Sequence, residues 1–443
     1  MKKLSILQLL LLLIISIMLS LSIISCDSGG SSGIINPPGG VVGGGGGGGG
    51  SGNNITLNQA NPTVNNSAVF NHTALCEFAN GLFDGTNYFI VGNDHPTGAN
   101  ANPNVYVYKL DNAFNNANPP LTIDFNNGTS TAQLGNLYID QDTNNVYVLG
   151  STLNGTDSDL FIAKVVKNTN TLDNAFVGAG TIQGVVVLDR GNNETPGGLL
   201  IYATNNVGYA AGYNNQRKVV IFKFDTSNGN LINAFGTNGY AEIDPDNNNN
   251  TADMATDILT DGTNLIIVGE QTDTTTGTTN LILFKVNPTN GQLVSNSLIT
   301  IAPPSGQMFL AAPLDAAISN NKVYLGANTQ PANDSILAVF DLSNNSANYY
   351  LLKDQNNNNL KININDLELD GTTLYMSGTF TNGSNNNLAY IKINTTNLIG
   401  TYYINSTVTD NIIWGNIPTA NSLILLGGDS NGTEFRLIQI NNP

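Results

Sequence analysis

Apolar residues in most of this chain come in short, nearly continuous runs set between polar turns. Beyond residue 53 they do not recur at the helical period of about 3.6. Leu265-Ile266-Ile267-Val268 and Val219-Val220-Ile221-Phe222 are examples. A strand with one wet face alternates apolar and polar residues, so a continuous run implies burial on both faces. The turns between runs read Asp84-Gly85-Thr86-Asn87 or Asp261-Gly262-Thr263-Asn264. Gly and Asn accept the positive φ that tight hairpins require. The pattern predicts an all-β chain.

Two ladders show that the pattern repeats. Each turn leads through an apolar run to a glycine, at Gly92, Gly150, Gly212, Gly269, Gly326, Gly378 and Gly427. A following run carries a residue near its end at Lys109, Lys164, Lys223, Lys285, Phe340, Lys392 and Gln439. Both ladders count seven units, each of roughly fifty to sixty residues. Each unit has room for four strands, and sheets buried on both faces in a repeated series predict a seven-bladed β-propeller. A β-helix has shorter coils, and stacked sandwiches would not need one unit copied seven times. Strand Phe435 to Ile440 is followed only by Asn441, Asn442 and Pro443, so the last unit lacks a fourth strand. The interval that separates a fourth strand from the next ladder glycine, counted back from Gly92, lands on Ser67-Ala68-Val69-Phe70. That stretch is expected to pair with Phe435 to Ile440 and close the ring.

The first residues have a different pattern. Lys2 and Lys3 precede an apolar run from Leu4 to Ile24, which is long enough to span a membrane. It ends in Ile23-Ile24-Ser25-Cys26, which resembles the lipobox of bacterial lipoproteins. The resemblance implies that residues 1–25 are a cleaved signal peptide and that Cys26 carries the lipid, a membrane anchor. Residues 26–53, with Pro37-Pro38 and the run Gly43 to Gly50, have nothing to bury and read as a disordered tether spanning on the order of 28 Å. Residues 54–443 form the body. Lys223-Phe224-Asp225-Thr226-Ser227-Asn228-Gly229, followed by Ala234-Phe235-Gly236, is similar to the delta-60 repeat of bacterial surface and secreted proteins, as is Leu172-Asp173-Asn174-Ala175-Phe176. That resemblance implies a propeller and carries no activity with it.

Charge narrows the partners. With 15 basic against 32 acidic residues, net charge −17, the chain is unsuited to nucleic acid. Once Cys26 is acylated, Cys76 is the one thiol left and reads as a core residue. His72 and His95 have no partner at metal-ligand spacing. The repeated box of sialidase-like propellers is absent, and Trp414 is the only tryptophan, too few for a stacked quinone cofactor. No cofactor, metal or catalytic residue is expected. Asp244-Pro245-Asp246-Asn247-Asn248-Asn249-Asn250 and Asp140-Gln141-Asp142-Thr143-Asn144 offer the alternating oxygens that calcium uses. They lack the glycine and closing glutamate of a calcium loop, and turns are rich in the same residues. The lysine row reads as cations snorkelling to water at strand ends, or as a ring facing a ligand.

These readings lead to a lipid-anchored cell-envelope propeller that binds a protein or glycan partner without catalysis. One alternative is a glycan-acting hydrolase or lyase with carboxylates in the channel; another is an assembly or structural role. The outer membrane or cell surface is favoured, although Asp27 resembles an inner-membrane retention signal.

Overall fold

The computed structural model describes residues 53–60, 62–71, 75–95, 104–116, 119–123, 137–154, 157–178, 182–248, 250–310, 315–382, 385–409, 411–429 and 434–441. The signal peptide, Cys26, most of the tether and His72 lie outside them. No helix among the described residues is long and apolar enough to cross a membrane.

Two strands, β1 (Asn53–Gln59) and β2 (Thr63–Asn71), come first. The first sheet holds β3 (Leu75–Phe83), β4 (Tyr88–His95), β5 (Val105–Leu110) and β6 (Leu121–Ile123). The second holds β7 (Tyr138–Gln141), β8 (Asn145–Asn154), β9 (Asp157–Val166), the short β10 (Thr171–Leu172) and β11 (Val185–Leu188). The third holds β12 (Glu194–Tyr202), β13 (Val207–Asn214), β14 (Val219–Asp225) and β15 (Tyr240–Ile243). The fourth holds β16 (Thr251–Thr260), β17 (Leu265–Asp273), β18 (Thr279–Val286) and β19 (Ile299–Ile301).

Next come β20 (Met308–Phe309), β21 (Ala316–Ser319), β22 (Lys322–Gln330), β23 (Ser335–Asp341) and β24 (Ser346–Lys353). They share a ten-stranded sheet with β25 (Ile362–Asp370), β26 (Thr373–Asn382), β27 (Asn385–Asn394) and β28 (Gly400–Thr409), because β1 lies between β24 and β28 and runs parallel to both. The last sheet is β29 (Asn411–Pro418), β30 (Ser422–Asp429) and β31 (Glu434–Asn441), with β2 outside β31. Ser67 stands opposite Ile438 and Val69 opposite Arg436, the stretch and the partner that the interval count selects.

Within each sheet the neighbouring strands of the meander are antiparallel, and hydrophobic clusters fill the spaces between sheets. Leu265, Ile266, Ile267 and Val268 are all fully buried, as a run covered on both faces must be. The fold is all-β, a β-propeller arrangement with five blades of four strands beside the ten-stranded sheet.

The sequence reading assigns no strand to 53–59. Ile55 and Leu57 alternate there with Asn54, Thr56 and Asn58, and both are buried, 4% and 0% exposed, against the fourth strands of two groups. Asn53 to Thr56 pair with β24 and Leu57 to Gln59 with β28.

The glycine ladder has a structural cause. Five first strands carry a β-bulge, and the residue just before each bulge faces a ladder glycine: Phe78 faces Gly92, Pro196 faces Gly212, Ala255 faces Gly269, Ile364 faces Gly378 and Ile413 faces Gly427. The bulge kinks the first strand inward, so its carbonyl oxygens stand over the glycine. A Cβ on Gly269 would lie 1.9 Å from Met254 O, and one on Gly378 would lie 1.9 Å from Asn363 O.

Candidate functional site

The first strands of successive sheets pack against one another: β3 on β7, β7 on β12, β12 on β16, β16 on β21, β21 on β25, β25 on β29, and β29 on β3. They are the innermost strands. Two of the five residues that follow a bulge, Asp257 and Asp366, are acidic, and β7 carries a further acid without a bulge.

On β7, Asp140 Oδ2 accepts the Ile201 N–H of β12 at 2.6 Å. On β16, Asp257 follows the bulge. Its Oδ1 accepts its neighbour Ile258 N–H at 2.7 Å, and its Oδ2 accepts the Ala316 N–H of β21 at 3.1 Å. On β25, Asp366 also follows a bulge, and its Oδ2 accepts both the backbone N–H of Asn416 on β29 and, at 2.6 Å, the Asn416 side-chain amide. Three carboxylates thus clasp the inner strand of the next sheet.

Asp315, just ahead of β21, lies within hydrogen-bond reach of both Asp257 and Asp366. Carboxylate oxygens of Asp315, Asp366 and Glu368 come within 4.8 Å of one another. Burial, then the charge of Asp315, pushes Asp257 and Asp366 well above the usual carboxylate range. Burial raises Asp315 as well. Glu368 is pushed up to about 8 by burial, then by Asp315 and Asp140. Asp140 rises to about 6 through burial, although the Ile201 N–H opposes the shift. Like charges this close do not all ionise, so the group holds protons at neutral pH and its members donate to one another.

The chemistry open to this arrangement is limited. A glycosidase needs two carboxyls about 5–5.5 Å or about 6.5–9.5 Å apart on opposite sides of a bound sugar. Here they crowd together and spend their oxygens on backbone N–H groups. Oxygen donors alone could hold only a hard cation such as calcium. A second acidic group joins Asp244 and Asp246, from the loop singled out in the sequence, to Asp253 of β16. That group is largely closed by its own hydrogen bonds: Gln271 Nε2 donates to Asp246 at 3.2 Å and to Asp253 at 2.9 Å, and Thr251 Oγ1 donates to Asp246. In the other candidate loop, Asp142 caps its turn by accepting the Asn144 and Asn145 N–H groups, and Asp140 belongs to the clasp.

The lysine heads are held by neighbouring groups of the protein. Lys109 Nζ donates to Lys167 O and Lys223 Nζ to Pro288 O, both at 2.7 Å, so each ties its sheet to a turn of the next. Lys164 pairs with Asp173 at 2.8 Å and Lys285 with Asp261 at 3.2 Å. Lys392 stands over the Tyr375 ring. Each head is held in place because a buried-edge cation needs a carbonyl, a carboxylate or a ring. Trp414 is a bulge residue, half-buried in the cluster between the last sheet and the first. Cys76 and His95 lie on β3 and β4.

Sequence reasoning missed Asp257, Asp315, Asp366 and Glu368. A signal existed, since Asp257 and Asp366 each stand twelve residues before a ladder glycine.

No protein-family model matches the chain, and no curated relative does. Similar solved structures include the β-propeller domain of the Trilobed protease from Pyrococcus furiosus, with 10% identity, TM-score 0.47, and 84% of this chain and 95% of that one covered. The WD40 domain of Toxoplasma gondii coronin is similar at 9% identity, TM-score 0.46, covering 88% and 89%. The phage phi92 endosialidase is similar at 10% identity, TM-score 0.45, covering 85% and 69%.

Proposed function

We propose that this protein is a lipid-anchored propeller of the bacterial cell envelope that binds or scaffolds a protein or glycan partner and catalyses no reaction. The observation that carries the non-catalytic part is the use made of the innermost acids. Asp140, Asp257 and Asp366 each accept a backbone N–H from the adjoining sheet, a role that holds the scaffold together. Loops on a rigid scaffold are then the places for recognition.

The ring is read as seven-bladed. β1 bridges two meanders, β21–β24 and β25–β28, that each otherwise have the form of one blade. The cycle of first-strand packing supports this, as does the cluster joining Ile424, Leu426 and Leu437 to Tyr88, Ile90 and Tyr108. The β2–β31 pair supports closure by the N-terminal strand. Anchoring through Cys26 rests on the lipobox resemblance, and the outer membrane or surface is the favoured site.

Cells expressing the full chain, labelled with palmitate, cross-linked and affinity-purified test the reading. The expected result is a labelled protein that captures a defined envelope protein or glycan, with label and processing lost in Cys26→Ser. Normal labelling of Cys26→Ser would overturn the anchor. One rival is a glycan-acting enzyme that would have to use the carboxyls of Asp315, Asp366 and Glu368 despite their crowding. Turnover of envelope polysaccharide by the purified chain, lost in Glu368→Gln, would establish that rival and overturn the non-catalytic reading.

A further inference from the structure

Asp366 and Glu368 stand two residues apart on β25, so both side chains leave the strand on one face. Asp315 reaches them from the approach to β21, and one oxygen from each of the three lies within 4.8 Å of the others. Oxygens that share a calcium ion at 2.3–2.6 Å stand no more than about 4.6–5.2 Å apart, so the three are spaced to meet on one ion.

A neutral side chain of β29 points the same way. Asn416 is 1% exposed, and its amide is aimed at Asp366. Its Nδ2 donates to Asp366 Oδ2 at 2.6 Å and to Ser377 Oγ at 3.3 Å. With the nitrogen held by two acceptors, the position of Oδ1 is set as well, and that oxygen is buried with no hydrogen-bond partner. Burying an amide oxygen without a donor is costly. Protons shared among the carboxyls do not relieve it, because Asp366 meets the nitrogen of the amide and not its oxygen. A cation does relieve it, since side-chain amide oxygens are ordinary calcium ligands. The surrounding charge adds to the case: Glu368 is acted on by Asp315 and Asp140, both of its own sign, and Asp257 also reaches Asp315.

We propose that Asp315, Asp366, Glu368 and the side-chain oxygen of Asn416 hold a calcium ion that ties together three successive innermost strands, β21, β25 and β29. Carboxylate and amide oxygens select calcium over zinc or copper. Asp366 Oδ2 stays with the two N–H donors of Asn416, which leaves its Oδ1 for the ion. In calcium-free protein, protons keep the carboxyls together; the ion replaces them and also satisfies Asn416.

The test is calorimetry on the full chain in detergent micelles, stripped with EGTA, freed of the chelator and titrated with calcium chloride to roughly millimolar, the affinity range of extracellular calcium modules. The wild type is expected to bind calcium and to melt at a higher temperature with it. Glu368→Gln is expected to bind about tenfold or more weakly, because the ligands lose a charge. Asp253→Asn, in the separate acidic group at the start of β16, is expected to bind as the wild type does. No calcium binding by the wild type, or unchanged binding by Glu368→Gln, would overturn the proposal, as would a loss confined to Asp253→Asn. If Glu368→Gln does not fold, Asp315→Asn decides: an affinity lowered about tenfold or more supports the site, and an unchanged one overturns it.

Discussion

At the residue scale, five of the seven ladder glycines are explained by the bulge across from them, and Gly150 and Gly326 by side chains that stand where a Cβ would go. Gly269 and Gly262 separate the two uses of glycine. Gly269 has a carbonyl oxygen where a Cβ would go, whereas Gly262 sits at φ +87° in a turn with open space around it. Gly262→Ala therefore meets only the backbone preference, on the order of 1 kcal/mol. Gly269→Ala must move the bulged strand, and an overpacked site costs about 1–3 kcal/mol with the Asp257 clasp disturbed in addition. Urea unfolding of the two variants is expected to show Gly269→Ala as the less stable. Equal midpoints would mean that the bulge yields freely and does not fix the ladder.

At the scale of elements, the readable part was whatever one strand determines alone. The runs Val219–Phe222 and Leu265–Val268 announce two-faced burial, and the Asp-Gly-Thr-Asn turns announce where they reverse. The clasp was not readable in that way. Asp140, Asp257, Asp315 and Glu368 come from four first strands or their approaches, and they meet only because those strands pack side by side. β1 was missed for a different reason: its two apolar residues are isolated among asparagines, next to a glycine tether, so the period-2 signal is very short. Its energetics are those of a wedge, with Leu57 fully buried against Tyr402 and Ile393 in the cluster between two sheet groups. Leu57→Ala is expected to cost about 2–5 kcal/mol. Hydrogen exchange should then speed up on β24 and β28 ahead of β17. Exchange unchanged on both strands would show β1 to be a passive edge.

At the scale of the whole molecule, the protons held on the innermost strands should set how stability depends on pH. Glu368 at about 8 and Asp140 at about 6 lie above their unfolded values of 4.5 and 3.8. An acid with a raised pKa binds its proton more tightly in the folded state, so its contribution is complete below the unfolded value and is lost as pH rises through the folded one. The turn acids have the opposite sign. Asp142, Asp173 and Asp261 are lowered, each by hydrogen bonds from its own turn or a lysine that outweigh burial, and they lose stability only as pH falls below the carboxylate range. The two trends cross in mildly acidic solution. With EGTA present, the melting temperature is expected to peak near pH 5 and fall steadily between about pH 6 and 8. Glu368→Gln, which keeps a hydrogen-bonding side chain but cannot ionise, should flatten the upper part of that fall while leaving the acid limb unchanged. A melting temperature that climbs from pH 5 to 8 would mean that the inner carboxyls ionise readily. In that case they could not pass protons among themselves, and the packing of first strand on first strand would have to be held by the hydrophobic clusters and the lysine ties alone.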